Sequence, residues 1–339
     1  MTSLWAFVSS VISRIASLLV LMMNIVVLDA HPMNPGDLSW EPMNELGSVS
    51  VYPRTREADV QARSKDADIL VINKIKITEE LLCSLPRLKF ICVTATGYNV
   101  VDMAAAVRHG VVVSNVPSYS TVSVAQSVFA HLLNVVNRVD AYAVQNRQGR
   151  WSESPDFTYL NLPCTELCGK LMGIVGYGNI GQAVATIAQA FGMKVWVYTS
   201  KPAASLPEGI EKKTLDELFA SCDVLSLHCP QTSETAGMVN RIRLAAMKPS
   251  AILINTARGG LIDEVAVAEA LRAGRLHAFC ADVLSEEPPH KDNPLLNLPN
   301  SYITPHIAWA TREARERLMF VCVENVAAFI KGRPINVVS

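Results

Sequence analysis

The sequence lacks a charge excess of either sign. Its 30 lysines and arginines against 31 aspartates and glutamates leave a formal net charge of -1. Proteins that bind nucleic acid or an anionic membrane surface through their overall electrostatic field carry a basic excess, which is missing here. We therefore expect no nucleic-acid partner and no membrane partner.

Paired cysteines are also missing. The eight cysteines form no Cys-x-x-Cys motif, and most lie inside apolar runs. This pattern is typical of reduced core cysteines in a cytoplasmic protein. Cys164 and Cys168 are the only close pair, and no second Cys/His cluster completes a zinc site with them. We predict a cytoplasmic protein without a metal centre.

Long uninterrupted hydrophobic runs are absent as well. Residues 1–22 are apolar and serine-rich, but Arg14 stands in their middle and no small-residue cleavage pattern follows. They fit a signal peptide poorly and are too interrupted for a membrane span. We interpret residues 1–22 as an extension ahead of the native start at Met22 or Met23, with a weakly membrane-associating helix as the alternative.

The chain does contain a regular alternation of short apolar runs with helical patterns. Hydrophobic residues make up 50% of its 339 residues, enough to bury a large core. Alternating strands and helices predict an α/β fold of doubly wound parallel sheets. The predicted strands are Ile25–Leu28, Val49–Tyr52, Ile69–Ile72, Lys89–Val93, Val111–Val113, Leu171–Val175, Val195–Tyr198, Val224–Leu227, Ile252–Asn255, Ala278–Val283 and Tyr302–Thr304.

Between the two series of strands, an apolar stripe predicts one long helix over Tyr119–Gly149. Its apolar surface exceeds what a linker between two domains needs. A last amphipathic helix is predicted over Thr311–Ile330.

The second series opens with a glycine-rich turn directly after Leu171–Val175. A strand, a glycine turn, a helix and a second strand form the dinucleotide-binding fingerprint. Glycines let the backbone approach a pyrophosphate, and the helix N-terminus favours its charge. The predicted cofactor-binding residues of this turn are Gly176, Tyr177, Gly178, Asn179, Ile180 and Gly181.

The acidic residue that would hold the ribose hydroxyls after the second strand is missing. Thr199, Ser200 and Lys201 stand in its place. This removes the repulsion that excludes NADP, and Lys201 could meet a 2′-phosphate. The residues alone leave NAD and NADP both open, and we expect all three to contact the cofactor.

Three later segments place reactive side chains after predicted strands. Arg258, Glu287 and His306 are 29 and 19 residues apart. Each alone is compatible with a structural role, as a surface arginine, a loop acid or a core histidine. Together, at the strand ends where ligands collect, a carboxylate-gripping arginine, an acid and a histidine predict catalysis.

From Met23 onward the chain resembles the D-isomer-specific 2-hydroxyacid dehydrogenases. Asn34-Pro-Gly-Asp-Leu-Ser-Trp40 and Ala308-Trp309-Ala-Thr resemble the glycerate dehydrogenases (hydroxypyruvate reductases) within that family. The family motifs are Gly176-Tyr-Gly-Asn-Ile-Gly181, Asn255-Thr-Ala-Arg258-Gly, Asp282-Val-Leu-Ser-Glu-Glu287-Pro-Pro and Thr304-Pro-His306-Ile-Ala.

The resemblance implies a Rossmann NAD(P)-binding domain, residues 122–311, inserted into a flavodoxin-like substrate-binding domain of residues 23–121 plus 312–339. It implies interconversion of a small 2-keto acid and its D-2-hydroxy acid, foremost hydroxypyruvate and D-glycerate. On the same ground we place NAD ahead of NADP. A homodimer built around the Tyr119–Gly149 helix and the arm through Trp151 is also implied.

Individual roles follow from the same resemblance. His306 would act as general acid and base, Glu287 would hold its ring and favour the charged form, and Arg258 would clamp the substrate carboxylate. Asp282 would orient the nicotinamide carboxamide. The backbone amides expected to bind the substrate carboxylate belong to Ala95, Thr96 and Gly97, and the other positions expected at the cofactor are Cys229, Pro230, Thr256, Ala257, Asp282, Arg258 and His306.

Two alternatives remain at this point. A short-form phosphoglycerate dehydrogenase would share the motifs, although only nine residues follow Ile330 and no regulatory domain fits there. An NAD(H)-sensing binding protein or corepressor could keep the same fold and the same three residues. Oxidation of reduced cofactor with different 2-keto acids separates these functions.

Overall fold

The computed structural model describes residues 23–339 and contains two parallel β-sheets flanked by helices, which confirms the predicted α/β class. The expectations for residues 1–22 fall outside the described residues. The structure divides into two compact units. The central unit is Thr121–Trp309, and the outer unit combines the described residues up to Ser120 with Ala310–Ser339.

The outer unit is built on a five-stranded parallel sheet in the order β2-β1-β3-β4-β5. Strands β3 and β4 are buried along their whole length, which is why they read as unbroken apolar runs. Its strands are β1 (Asn24–Val27), β2 (Ser48–Val51), β3 (Ile69–Ile72), β4 (Phe90–Val93) and β5 (Val112–Ser114), and its first helices are α1 (Glu41–Asn44), α2 (Glu57–Ser64), α3 (Glu79–Cys83) and α4 (Met103–Arg108).

The helical stripe predicted over Tyr119–Gly149 is broken into two helices, so the prediction of one helix is wrong. Helix α5 (Thr121–Asn137) and helix α6 (Val139–Arg147) meet at Arg138, whose φ of 55° lies in the left-handed region. That conformation interrupts the helical hydrogen-bond ladder. Helix α5 carries the buried apolar face, whereas α6 buries no residue, so the apolar stripe belongs to α5.

The central unit is built on a seven-stranded parallel sheet in the order β12-β11-β10-β9-β6-β7-β8. Strand β8 was not predicted from the sequence, because it has three residues and only the first of them is buried. The strands are β6 (Leu171–Val175), β7 (Lys194–Tyr198), β8 (Ile210–Lys212), β9 (Val224–Leu227), β10 (Ile252–Asn255), β11 (Ala278–Ala281) and β12 (Ser301–Ile303), and the further helices are α7 (Asn179–Ala190), α8 (Leu215–Ser221), α9 (Arg241–Ala246) and α10 (Glu264–Arg272).

All neighbouring strands of the central sheet run parallel, so their carboxyl ends lie along one edge. Ligands of open α/β sheets bind outside this edge. The sequence-predicted site residues of the central unit follow the strands there. They come after β6, β7, β9, β10, β11 and β12.

The last helix, α11 (Arg312–Ile330), belongs to the outer unit. Its Phe329 ring stacks on Phe90 of β4 with a centroid distance of 4.5 Å. Near the helix start, the guanidinium of Arg315 donates two hydrogen bonds to the carboxylate of Asp37, at 2.6 and 2.7 Å. The helix is therefore fixed to the outer unit by an apolar contact and by a bidentate ion pair.

Two features are absent from residues 23–339. None of the helices there combines the length and the apolar character that crossing a bilayer requires. No three histidine, cysteine, aspartate or glutamate side chains in that range are grouped so that they could hold a metal ion.

Candidate active site

Two positions of the glycine turn after β6 leave no room for a side chain. Gly176 has a φ of +97°, and a Cβ there would lie 2.6 Å from the carbonyl of His228. A Cβ on Gly181 would lie 2.1 Å from the carbonyl oxygen of Gly176. The glycines therefore allow the turn to close tightly against the sheet.

The residues at the start of helix α7 suit the pyrophosphate of a dinucleotide. Gly178 is the N-cap of this helix, and a Cβ built there would meet nothing within 4 Å. Asn179 and Ile180 open the helix, whose N-terminal N–H groups and dipole favour a pyrophosphate. The buried hydroxyl of Thr256 has no hydrogen-bond partner among the described residues, so the same edge of the sheet holds a polar atom that a ligand could satisfy.

The end of β7 lies close to the glycine turn. The backbone N–H of Lys201 donates to the hydroxyl of Thr199 at 3.2 Å, which folds the segment through Ser200 into a tight turn. The ammonium of Lys212 donates to the carbonyl oxygen of Lys201 at 2.8 Å. The ammonium of Lys201 lies 5.5 Å from the centre of the Tyr177 ring, so the structure brings the predicted ribose-binding segment and the glycine turn together.

The segment after β9 forms a neighbouring part of this edge. His228 donates its backbone N–H to the carbonyl oxygen of Val175 at 2.7 Å, and its Nε2 lies 2.8 Å from the hydroxyl oxygen of Ser226. Burial lowers the pKa of His228 to about 3, so the ring is neutral at physiological pH. Burial also raises the pKa of the half-buried Cys229 thiol, and Pro230 beside it is exposed.

The turn after β10 is shaped by Asn255. Its amide oxygen accepts from the N–H of Ala257 at 3.1 Å, and its amide group donates to the carbonyl oxygen of Arg258 at 2.9 Å. A Cβ on Gly259 would lie 1.9 Å from the carbonyl carbon of Leu284, so this turn packs directly on the segment after β11. The exposed guanidinium of Arg258 donates to the carbonyl oxygen of Ala257 at 2.7 Å.

Glu287 and His306 are in direct contact. One carboxylate oxygen of Glu287 lies 2.6 Å from Nδ1 of His306, and the other accepts from the N–H of Leu284 at 3.1 Å. Both side chains are about one-third exposed, at 32% and 31%, so the pair borders solvent. His306 also has a φ of 54°, and a left-handed non-glycine residue is a form of backbone strain that is found preferentially at functional sites.

Asp282 holds the loop that carries His306. Its carboxylate is buried, with 2% of the residue exposed. One oxygen accepts from the hydroxyl of Thr304 at 2.6 Å and from the N–H of Ile307 at 2.8 Å, and the other accepts from the N–H of Ala308 at 2.7 Å. These partners flank His306 on both sides, so Asp282 fixes the loop on which the histidine stands. Its expected contact with the nicotinamide carboxamide stays a prediction.

Two residues of α5 that were not predicted from the sequence also hold this loop. Nε2 of His131 lies 3.2 Å from the hydroxyl oxygen of Thr304, and the single hydrogen of that hydroxyl is donated to Asp282. We therefore assign a proton to Nε2 of His131, which donates it to the Thr304 oxygen. Burial lowers the pKa of His131 against the opposing effect of Asp282. The hydroxyl of Ser123 donates to the carbonyl oxygen of Ala308 at 2.5 Å. Polar residues inside the apolar stripe of α5 were the sequence signal that could have identified both.

The predicted substrate-binding loop belongs to the outer unit and follows β4. The carbonyl oxygen of Ala95 accepts from the N–H of Val116 at 3.0 Å, and the hydroxyl of Thr96 donates to the carbonyl oxygen of Val116 at 3.2 Å. The amide of Asn115 donates to the carbonyl oxygen of Thr96 at 2.8 Å. These bonds hold the backbone that leads to Gly97, and the role of the loop in substrate binding stays a prediction.

Comparisons with known proteins show which family this chain resembles. The family model for the D-isomer specific 2-hydroxyacid dehydrogenase, NAD binding domain, matches residues 129–308. The chain is 45% identical over 321 residues to the hydroxypyruvate reductase of Blautia hydrogenotrophica, covering 94% of this chain and 100% of that protein. It is 40% identical over 282 residues to the glycerate dehydrogenase of Methylorubrum extorquens, covering 83% of this chain and 88% of that protein.

A solved structure gives the same result at the level of the fold. The acyclic imino acid reductase Bsp5, in complex with NADPH and D-Arg, matches with a TM-score of 0.82 and 34% identity. The match covers 94% of this chain and 100% of that chain. The resemblance predicted from the motifs is confirmed, and the protein belongs to the D-isomer-specific 2-hydroxyacid dehydrogenase family.

Proposed function

We propose that this protein is an NAD(P)-dependent reductase that converts hydroxypyruvate to D-glycerate and catalyses the reverse reaction. The observation that carries the proposal is the 2.6 Å contact between Glu287 and Nδ1 of His306, at the sheet edge that also bears the glycine turn. Similarity over nearly the whole chain to the hydroxypyruvate reductase of Blautia hydrogenotrophica supports this choice of substrate.

His306 is the proton donor and acceptor of the proposed reaction. Because the Glu287 carboxylate engages Nδ1, the proton of that nitrogen is held and Nε2 is the nitrogen that faces a substrate oxygen. In the reductive direction Nε2–H protonates the keto oxygen, and in the oxidative direction Nε2 accepts the hydroxyl proton. Glu287 keeps the ring in one orientation.

Arg258 is the proposed anion-binding residue. Its guanidinium is exposed at the end of β10, and the Asn255 amide holds the turn on which it stands. A guanidinium offers two parallel N–H groups to a carboxylate, which fixes a 2-keto acid in both position and orientation. Orientation of the substrate against the proton donor is a large part of the rate enhancement.

The cofactor supplies the hydride when it is bound. The turn around Gly178 and the N–H groups at the start of α7 hold its pyrophosphate in this proposal. Thr199, Ser200 and Lys201 contact its adenosine ribose, and the buried Thr256 hydroxyl supplies a hydrogen bond at the same sheet edge. A named relative binds NADPH, and the matching family model is described as NAD binding, so both forms of the cofactor are consistent with the fold.

One assay tests the proposed activity against the rival functions. NADH and NADPH oxidation is followed with hydroxypyruvate, glyoxylate, pyruvate and 3-phosphohydroxypyruvate. We expect the highest kcat/KM with hydroxypyruvate. A preference for 3-phosphohydroxypyruvate would replace the proposal with a phosphoglycerate dehydrogenase, and oxidation with none of the four would favour a cofactor-sensing binding protein.

We further propose a homodimer, supported by apolar side chains around α6. Tyr159 folds back on this helix, its hydroxyl donating to the amide oxygen of Asn146 at 2.6 Å, so the segment after the helix has a defined conformation. That segment nevertheless presents Phe157 and Leu160 with 90% and 87% of their surface exposed. Two large apolar side chains held outward in this way mark a surface for protein contact, and a second copy of the chain is the proposed partner.

A cytoplasmic location also belongs to the proposal. All eight cysteines are free thiols, and three of them, Cys83, Cys164 and Cys168, are exposed. Exposed thiols persist in a reducing compartment, whereas an oxidising one converts them to disulfides.

A further inference from the structure

The end of β7 determines which dinucleotide the glycine turn can hold. In a Rossmann unit a carboxylate at this position accepts hydrogen bonds from the ribose hydroxyls and repels a 2′-phosphate. Here the strand ends at Tyr198 and is followed by two hydroxyl residues and Lys201. A phosphate carries more than one negative charge and accepts hydrogen bonds from hydroxyl and ammonium groups.

Two exposed lysines bring positive charge to this strand end. The ammonium of Lys201 lies 5.5 Å from the Tyr177 ring, a residue of the glycine turn itself. The ammonium of Lys212 lies 2.8 Å from the carbonyl oxygen of Lys201. Two ammonium groups therefore stand on the loop that borders the ribose position.

The one carboxylate within strand β8, that of Glu211, is paired with a lysine. Glu211 forms an ion pair with Lys213 at 3.0 Å, and that lysine lies 4.6 Å from the centre of the Trp196 ring. Successive strand residues point to opposite faces of a sheet, so the Glu211 carboxylate and the Lys212 ammonium lie on different faces. The charge facing the end of β7 is accordingly positive.

We propose that this enzyme prefers NADPH to NADH, and that Lys201 together with the hydroxyls of Thr199 and Ser200 binds the 2′-phosphate. Lys212 supports the loop and adds to its positive field. The proposal deepens the proposed function, on which it rests for the presence of a dinucleotide, and it reverses the order of NAD and NADP expected from the family resemblance.

Two substitutions separate the charge from the fold of the loop. Lys201→Ala removes an ammonium–phosphate contact, and hydrogen bonds to charged groups of this kind correspond to about a tenfold to hundredfold change in affinity. We expect that loss for NADPH, with NADH changed less than about threefold. Thr199→Asp installs a carboxylate that can still accept the N–H of Lys201, so the turn survives while NADPH is repelled and NADH gains a ribose partner.

Lys194→Ala is the matched control. It removes the same charge from an exposed position at the other end of the same strand. At about 3.3 Å per residue the two strand ends are roughly 13 Å apart, beyond the ~8 Å Debye length at physiological ionic strength. The affinities for both cofactors should therefore stay at the wild-type values.

The experiment measures dissociation constants directly, by titrating the full-length protein with NADPH and with NADH and following the fluorescence of the bound nicotinamide, without substrate. Tighter NADPH binding that Lys201→Ala abolishes and Lys194→Ala preserves is the expected result. Tighter binding of NADH, or equal loss in the Lys201 and Lys194 variants, would overturn the cofactor assignment. The titration contains no substrate, so its result does not depend on hydroxypyruvate reduction. If NADPH binds more tightly but the separate activity assay shows no hydroxypyruvate reduction, the cofactor assignment stands and the proposed function is refuted.

Discussion

Asp282→Asn tests how the loop carrying the proposed proton donor is held. The buried carboxylate accepts from the hydroxyl of Thr304 and from the N–H groups of Ile307 and Ala308. An asparagine has one acceptor oxygen, so in either orientation its amide group faces at least one donor. The least costly orientation sets the amide against the N–H of Ala308 and retains the other two bonds in weaker, uncharged form.

The magnitude follows from these three bonds. One lost charge-assisted hydrogen bond costs about 1.5–3 kcal/mol, and weakening two others adds roughly 1 kcal/mol each, before the easier desolvation of a neutral amide offsets part of the total. We expect a net loss of about 2–4 kcal/mol, which for a domain of this size lowers the unfolding midpoint by roughly 5–15 °C. A shift of His306 by about 1 Å would lower kcat/KM on the order of a hundredfold.

Thermal unfolding and hydroxypyruvate-dependent cofactor oxidation measure the two effects. Thr304→Val is the matched control, since it removes one of the three donors and leaves both backbone contacts, so both losses should be smaller. An Asp282→Asn variant with wild-type kcat/KM and an unchanged unfolding midpoint would refute the argument that this carboxylate anchors the loop. A variant with weaker cofactor binding but unchanged kcat at saturating cofactor would assign Asp282 to the nicotinamide carboxamide instead.

Three further predictions address the glycine turn, the partly buried His228 and the dimer. Gly181→Ala should lower both stability and cofactor affinity, because its Cβ would lie 2.1 Å from a backbone oxygen. Gly178→Ala should weaken cofactor binding only, because its Cβ enters open space. Equal unfolding midpoints of the two variants would contradict this. The pKa of His228 is about 3 in the folded protein and 6.5 ordinarily. Between these pH values the unfolded chain binds a proton that the folded chain does not, so the free energy of unfolding falls as the pH falls. The loss reaches at most about 1.4 kcal/mol per pH unit. His228→Gln should therefore flatten the decline of the unfolding midpoint between pH 6.5 and 5, and an equally steep decline in the variant would speak against this. The double substitution Phe157→Asp and Leu160→Asp should give a monomer, measured by light scattering coupled to gel filtration. Ile242→Asp, at a similarly exposed apolar position on α9, should leave the dimer intact. A dimer that survives the double substitution would exclude this surface as the interface.

The sheets were predictable because their strands are short apolar runs of the kind that parallel sheets bury. Ile69–Ile72 and Ile252–Asn255 are buried along their whole length, and their sequences are typical of such buried strands. The break between α5 and α6 was not predictable, because Arg138 sits inside a continuing apolar periodicity. Its left-handed conformation is a property of the folded chain. Strand β8 escaped prediction because only Ile210 of its three residues is buried, so its pairing with β7 determines the structure.

The candidate site was predictable as a set of residue types, and its geometry was not. Spacing and resemblance selected Glu287 and His306, but nothing in the sequence gives the 2.6 Å between them or the packing of Gly259 on Leu284. The contact of His131 was not predictable, since a single histidine on an apolar helix face does not indicate which residue it will bond. Its hydrogen bond to Thr304 spans 173 residues of sequence and exists only after the central unit folds.

In the proposed reaction His306 transfers the proton while hydroxypyruvate is reduced. The direct measurement compares wild type with His306→Gln for the rate of cofactor oxidation with hydroxypyruvate, for the enantiomer of glycerate formed and for the cofactor dissociation constant. We predict that the wild type forms D-glycerate and that the variant binds cofactor normally but turns over roughly a hundredfold or more slowly. Near-normal turnover in the variant would contradict the assignment of His306, and formation of L-glycerate would contradict the proposed reaction.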